Sequence, residues 1–346
     1  MKTILFTQDY EIFFGKNSGT VNKCMILPNA ELIDLFNRYN CTMTVFWDVL
    51  HFHTLKIHVK EYPELQKDID LIENQIKLLI KNNHDIQLHI HPHWLDAKYS
   101  GNRKWHFTYE RYDLHDLSRE EKPDDINTIA GCVNTSVQVL KSFVDKKDSR
   151  IIFRAGGNHV EPFDALSKVF TNNSIFIDSS RIDSKQWKSR YTKPYYRFSE
   201  SPSQKNNNGS FIEFPITTVN IGLFRKLLFK SLKKKYSDLD KFGDGNSIYE
   251  SKIDKKLLET KFKYNKHNFV KKAIEFIKSK EVILTTEGSF KEKINYLIKK
   301  SPNMSLMTLH PKYINKHQLE ILEHLLKNKR IHFISISEYI NQYGID

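Results

Sequence analysis

Seven short apolar runs, at 3–7, 42–47, 86–90, 151–153, 175–177, 211–214 and 304–309, constrain the fold of this chain more than any other feature. Between them lie stretches with helical periodicity, at Asn29–Arg38, Pro63–Lys81, Ser118–Val144, Glu161–Phe170 and Lys316–Lys327. Runs too short for a helix, alternating with stretches long enough for one, predict strands joined by helical crossovers and a mainly parallel sheet. Ser118-Arg119-Glu120-Glu121 has the form of a capping box and predicts the start of its helix. The polar Ser201–Gly209 stretch predicts a turn between strands. Internal repeats are not evident.

The ends of these strands carry the chemistry. The first breaks into Gln8-Asp9-Tyr10-Glu11, and alternation gives Asp9 and Glu11 the same facing, so both carboxylates could enter one cavity. The third runs into His89-Ile90-His91-Pro92-His93-Trp94. Three imidazoles so close suit zinc or another first-row divalent cation. If the chain turns at Pro92, His89 and His93 can point the same way, as two ligands of an open site would. The plainer alternative is a polar loop whose histidines pack on Trp94 or face solvent. The fourth run ends in Arg154-Ala155-Gly156-Gly157, and the last in Leu309-His310-Pro311. Titratable residues at the C-terminal ends of several strands are where α/β sheets and barrels place their sites.

The order of these motifs resembles the polysaccharide deacetylase (NodB-homology) family, carbohydrate esterase family four. Thr7-Gln8-Asp9-Tyr10-Glu11 stands where that family has Thr-Phe-Asp-Asp-Gly, and His89 and His93 match the spacing of its His-(Ser/Thr)-x-x-His motif. Thr42–Trp47 resembles its second strand, Arg154-Ala155-Gly156-Gly157 its Arg-x-Pro motif, Ile177-Asp178-Ser179-Ser180 its fourth motif and Leu309-His310 its fifth. Phe211–Pro215 resembles the strand that follows the fourth motif; the stretch near 185–300 is unmatched. The resemblance implies an α/β fold, a distorted (β/α)7-type barrel, in a single domain over 1–346 with a mainly helical insertion at about 218–300. It implies a divalent metal, Zn2+ foremost, and hydrolysis of an N-acyl group, N-acetyl above all, on a sugar or glycan precursor in surface-polysaccharide biosynthesis.

The same resemblance implies Asp9, His89 and His93 as metal ligands with Glu11 assisting. Arg154 would orient the catalytic carboxylate, and His310 would protonate the leaving amine. Asp178 would orient His310 or simply end a strand. Tyr10 replaces the family's second aspartate, which leaves alternatives open. Asp9 could serve the metal with Glu11 as base, Asp9 could be the base with Glu11 reaching the metal, or the site could lack a metal. A C–N hydrolase for a small non-sugar amide and an inert glycan-binding relative are the competing functions.

Composition bounds the rest. Hydrophobic residues at 39% and aromatics at 12% argue for a folded enzyme. Three cysteines without C-x-x-C spacing indicate neither a disulfide framework nor a thiolate site. With Asp9 and Glu11 ahead of any long apolar run, no signal peptide is expected, and a cytoplasmic protein follows. The net charge of +13 comes with no nucleic-acid module, so nucleic acid is not an expected partner, although anionic nucleotide- or lipid-linked sugars could be attracted. Leu223–Tyr236 reads as a basic amphipathic helix, which either packs its apolar stripe on the barrel or makes peripheral contact with an anionic membrane. Trp187, Tyr191, Tyr195 and Tyr196 could stack on sugar rings or pack in the core.

Overall fold

In the computed structural model the described residues are 1–102, 104–144, 150–182, 193–233, 241–248 and 280–345. Thirteen strands occur among them: β1 (Lys2–Tyr10), β2 (Thr44–Asp48), β3 (Asp85–Ile90), β4 (Lys98–Tyr99), β5 (Trp105–His106), β6 (Ile151–Ala155), β7 (Ile175–Asp178), β8 (Tyr196–Phe198), β9 (Phe211–Glu213), β10 (Thr218–Ile221), β11 (Lys280–Ile283), β12 (Met304–Leu309) and β13 (Ile331–Ile334). The seven apolar runs of the sequence coincide with β1, β2, β3, β6, β7, β9 and β12. They lie side by side in the order β12-β1-β2-β3-β6-β7-β9, all parallel, with β8 added antiparallel to β9 and β13 pairing with the start of β1.

Apart from Phe176 of β7, which is exposed, the parallel strands are largely buried on both faces, as covering by crossover helices leads to. In β2 all five residues are buried, and Trp47 packs on Phe52 and Phe143 of the covering helices Val49–His58 and Ile129–Phe143. A fully buried Leu, Ile or Phe side chain contributes about 1.5–3 kcal/mol, so this two-sided burial outweighs weak local propensity. The helix Val49–His58 illustrates it. It holds three histidines and no clear polar face, which left no helical period in the sequence, yet Val49, Leu50, His51, Phe52, Thr54 and Leu55 are all buried.

The expected barrel is not reached by strand pairing. Among the described residues no ladder joins β12 to β9; instead, irregular backbone fills that gap. Thr217 N–H donates to the Leu306 carbonyl, Leu284 N–H to the Thr217 carbonyl and Thr308 N–H to the Leu284 carbonyl. Thr217 and Leu284 flank the separate antiparallel pair β10-β11, so the insertion near 218–300 contributes a two-stranded sheet as well as helices; its residues 234–240, which include the end of the expected Leu223–Tyr236 helix, and 249–279 lie outside the described residues.

One local expectation fails, and of the two offered for the aromatics the core-packing one describes Tyr195 and Tyr196. Residues 118–128 are not helical, and the helix begins only at Ile129, capped by Thr128 Oγ1, which accepts from Gly131 N–H at 3.0 Å. Pro123 and successive turns, closed by Asp125 N–H to the Lys122 carbonyl and Thr128 N–H to the Asp125 carbonyl, occupy the preceding segment, and Ser118 Oγ accepts from Glu120 N–H. Tyr196 is a core residue of β8 whose hydroxyl donates to the Pro202 carbonyl at 2.6 Å, and Tyr195 packs on Phe214. Trp187 and Tyr191 lie outside the described residues.

Candidate metal centre

β1, β2, β3, β6 and β12 bring their C-terminal ends to one place. Period-2 alternation decides what each residue of β1 meets. Gln8 and Tyr10 turn to the helix-covered face, where Gln8 donates to Asn29 Oδ1 and the Tyr10 hydroxyl to Gln75 Oε1, both at 2.8 Å. Tyr10, in place of an aspartate, is therefore a core residue, and burial pushes its phenol well above the ordinary range. Thr7, Asp9 and Glu11 turn to the opposite face and enter the site.

β3 alternates in the same way, so His89 and His91 share that face. Glu11 Oε2 lies 2.8 Å from His91 Nε2 and 3.2 Å from His89 Nε2, and the two Nε2 atoms are 3.0 Å apart. Donors about 2.1 Å from a common ion stand roughly 3.0–3.4 Å from one another, close to these separations. The His89 tautomer agrees. Its Nδ1 is 2.8 Å from the Arg154 carbonyl, which can only accept, so Nδ1 carries a proton and a neutral ring would turn its Nε2 lone pair to a cation. With no cation there, burial opposes the ring's charge, but Glu11 and Asp9 outweigh burial and favour the charged ring. Glu11, His89 and His91 are all buried and form a group able to chelate a divalent cation.

This trio differs from the expected Asp9, His89 and His93. Pro92 opens a short 3-10 helix, Pro92–Asp96, which turns His93 out of strand alternation. The His93 ring is buried among Phe14, Phe107 and Trp94, neither of its nitrogens has a hydrogen-bond partner among the described residues, and burial drives its pKa well below the ordinary value. Gly156 allows the close approach of β6 to this group: a Cβ there would stand 2.6 Å from His91 Nδ1 and 2.7 Å from the Ile90 carbonyl.

Asp9 belongs to a second group. Its Oδ1 is 2.6 Å from Arg154 Nη1. Arg154 is fully buried, also donates to Thr7 Oγ1, Thr308 Oγ1, the Ser179 carbonyl and Ser179 Oγ, and lies over the Phe46 ring. Burial works to raise the Asp9 pKa, but Arg154, with His89 and His310, brings it below the usual value. Glu11 behaves likewise. Burial opposes its charge, and Lys312, His91 and His89 outweigh burial to hold it well below the carboxylate range.

His310, half-buried at the end of β12, faces both acids, with Nε2 3.5 Å from Asp9 Oδ2 and 3.7 Å from Glu11 Oε1. Its Nδ1 lies 2.8 Å from Glu287 Oε1, which also accepts from the His310 backbone N–H. Burial lowers its pKa, but Glu287 together with Asp9 and Glu11 lifts it to about 9. Asp178 does not reach His310. It ends β7 beside its register partner Glu213, accepting from Ser180 Oγ, while Ser179 and Ser180 anchor Arg154 and the Ala155 N–H.

Three residues of the site were not among those singled out from the sequence as ligands or catalytic groups, although His91 belonged to the histidine cluster. His91 was within reach, because i and i+2 on one strand share a face. Lys312 and Glu287 were not. The buried Lys312 donates to Glu11 Oε1 at 2.7 Å and to the Ile12 carbonyl at 2.8 Å, which leaves Oε2 for the histidines. It sits in a 3-10 turn without periodicity, and Glu287 lies within the insertion near 218–300, where no motif was matched.

No protein-family model matches this sequence, and no curated protein sequence does so. Among solved structures, similarity is found to a protein assigned as a polysaccharide deacetylase from Mycobacterium smegmatis, at 11% identity and TM-score 0.46, over 99% of this chain and 91% of that one. A family 4 acetyl xylan esterase from Clostridium thermocellum, solved with a cobalt ion, matches at 13% identity and TM-score 0.39, over 100% and 93% of the chains. The allantoinase PuuE matches at 9% identity and TM-score 0.44, over 99% and 90%. These are distant similarities at low identity with TM-scores below 0.5, and the chemistry below rests on the residues of the site.

Proposed function

We propose that this protein is a metal-dependent hydrolase that removes an N-acyl group, N-acetyl foremost, from a sugar or glycan precursor, in surface-polysaccharide assembly. The observation that carries the reading is the contact between two groups. The chelating trio Glu11, His89 and His91 lies beside an acid held ionised, Asp9 on Arg154, and a histidine that favours its charged form, His310 on Glu287. A divalent ion such as Zn2+ held by the trio would polarise a carbonyl and lower the pKa of water towards about 7. Asp9 is ionised at neutral pH and accepts a proton as general base. Arg154 fixes the direction of that carboxylate through a charge-assisted bond. His310, donating Nδ1–H to Glu287, keeps a second proton on Nε2 directed between the acids, positioned for a leaving amine. Asp178 supports Arg154 through Ser179 and Ser180 and takes no proton in this scheme. The sugar in the proposal rests on the order of motifs along the chain.

A second reading has its own observation. Glu11 is already neutralised by Lys312 and Asp9 by Arg154, so the cluster is charge-balanced without an ion. A C–N hydrolase on a small non-sugar amide, without metal, fits that balance. The test is metal analysis of purified protein followed by a screen of N-acetylated sugars and nucleotide sugars for acetate release. About one ion per chain and acetate release abolished by Asp9→Asn are expected. Acetate release that survives complete chelation would favour the metal-free reading, and no release from any N-acyl sugar would end the sugar assignment.

A further inference from the structure

The helix Leu223–Lys233 presents two apolar faces, and the fold uses one. Phe229 is buried and packs on Phe290 and Tyr296, with ring centroids 5.6 and 5.7 Å apart. Phe224, Leu227 and Leu228, at i, i+3 and i+4, form a second stripe that remains 78%, 49% and 38% exposed. The expectation that the helix packs its apolar stripe inward thus holds for only one of the two. Single exposed hydrophobics need no explanation, but three on one turn of one helix do.

The charge around that stripe has one sign. Arg225, Lys226 and Lys230 lie on the same helix, and no Asp or Glu occurs in the chain between Glu213 and Asp238. A helix that combines an exposed apolar stripe with cations and no acid of its own matches a surface that is apolar within and anionic at its boundary. A second copy of the chain fits worse, because two chains of net charge +13 would bring cations against cations. No helix among the described residues is long and apolar enough to cross a membrane. We infer that Leu223–Lys233 seats on the face of an anionic lipid bilayer, with Phe224, Leu227 and Leu228 in the acyl boundary and the exposed Lys230 at the headgroups, while Arg225 lies over the Tyr296 ring of the inner face.

The inner face of the same helix rests on Phe290 and Tyr296, just past Glu287, which holds His310. Bilayer contact and the His310 side of the site are therefore carried by one excursion of the chain. The inference does not depend on the hydrolase reading.

The test is co-sedimentation of the full chain with vesicles of phosphatidylcholine and phosphatidylglycerol, beside vesicles of phosphatidylcholine alone. Binding to the mixed vesicles, weakened by salt and much weaker on phosphatidylcholine, is expected. Phe224→Ser/Leu227→Ser alters only exposed side chains, so melting should be unchanged while the partition coefficient falls on the order of tenfold or more. Lys230→Glu should lower it by roughly fivefold or more. Wild-type protein that stays in solution at low salt would overturn the inference. So would a double variant that binds like wild type, or one that turns a dimer into a monomer with vesicle binding unaltered.

Discussion

His91 and His93 are two residues apart and chemically identical, yet they occupy opposite kinds of surroundings. His91 Nε2 is 2.8 Å from a carboxylate oxygen, whereas the His93 ring is sealed among aromatics with its charge suppressed by burial. His91→Ala should reduce metal affinity on the order of a hundredfold or more, measured by competition with a chromogenic chelator. His93→Phe keeps the aromatic packing and removes two unpartnered nitrogens, so metal content should be retained and stability little changed. Loss of the ion in the Phe variant with the fold intact would return His93 to the ligand set. The histidine cluster and the facing of Asp9 and Glu11 were legible as sequence. The choice among the histidines was not, because it depends on the 3-10 turn that Pro92 begins.

At the scale of elements, the Ile129–Phe143 helix shows how tertiary context relocates a boundary. Ser118-x-x-Glu121 has the letters of a capping box, but Thr128 makes the cap, also donating to the carbonyls of Lys122 and Asp125. Thr128→Ala should cost about 1–2 kcal/mol in chemical denaturation, while Ser118→Ala, whose hydroxyl serves an exposed turn, should change it by less than about 0.5 kcal/mol. Equal effects would mean that the segment before Ile129 is helical after all. Strands were easier to read than caps, since the apolar runs are buried on both faces, apart from Phe176 of β7, and so contiguous in hydrophobicity. β4, β5, β8, β10, β11 and β13 were missed: two to four residues with partial burial leave no pattern distinct from a loop.

Across the whole molecule, buried charge ties the sheet together. Arg154 of β6 reaches Thr7 and Asp9 of β1, Thr308 of β12 and the Ser179 that follows β7. Next to it, Asp178 of β7 and Glu213 of β9 are both fully buried. Burial first, and then the proximity of Asp178, raises Glu213 well above the usual range, and burial raises Asp178 as well. The folded state therefore holds protons that the unfolded chain releases above about pH 4.5. This pair favours folding most below that pH, and its contribution declines as pH rises towards the folded pKa. Glu213→Gln can still accept from Arg181 N–H and donate to Asp178, but no longer ionises. Its free energy of unfolding should gain on wild type as pH increases from 5 to 8, by an amount on the order of 1 kcal/mol. A difference that is constant across that range would show that the pair does not hold an extra proton.

The sequence by itself determined where the main parallel strands run and which titratable residues stand at their ends. Both follow from local rules, the contiguity of apolar residues in a doubly covered strand and the two-residue alternation of its faces. Only the tertiary structure decided that Glu11, His89 and His91 converge, that Lys312 and Glu287 complete the charge balance, and that irregular backbone around Thr217 and Leu284 lies where barrel closure was expected. These outcomes depend on contacts between residues up to 301 positions apart, such as Lys312 on Glu11, and no local pattern encodes such a pairing.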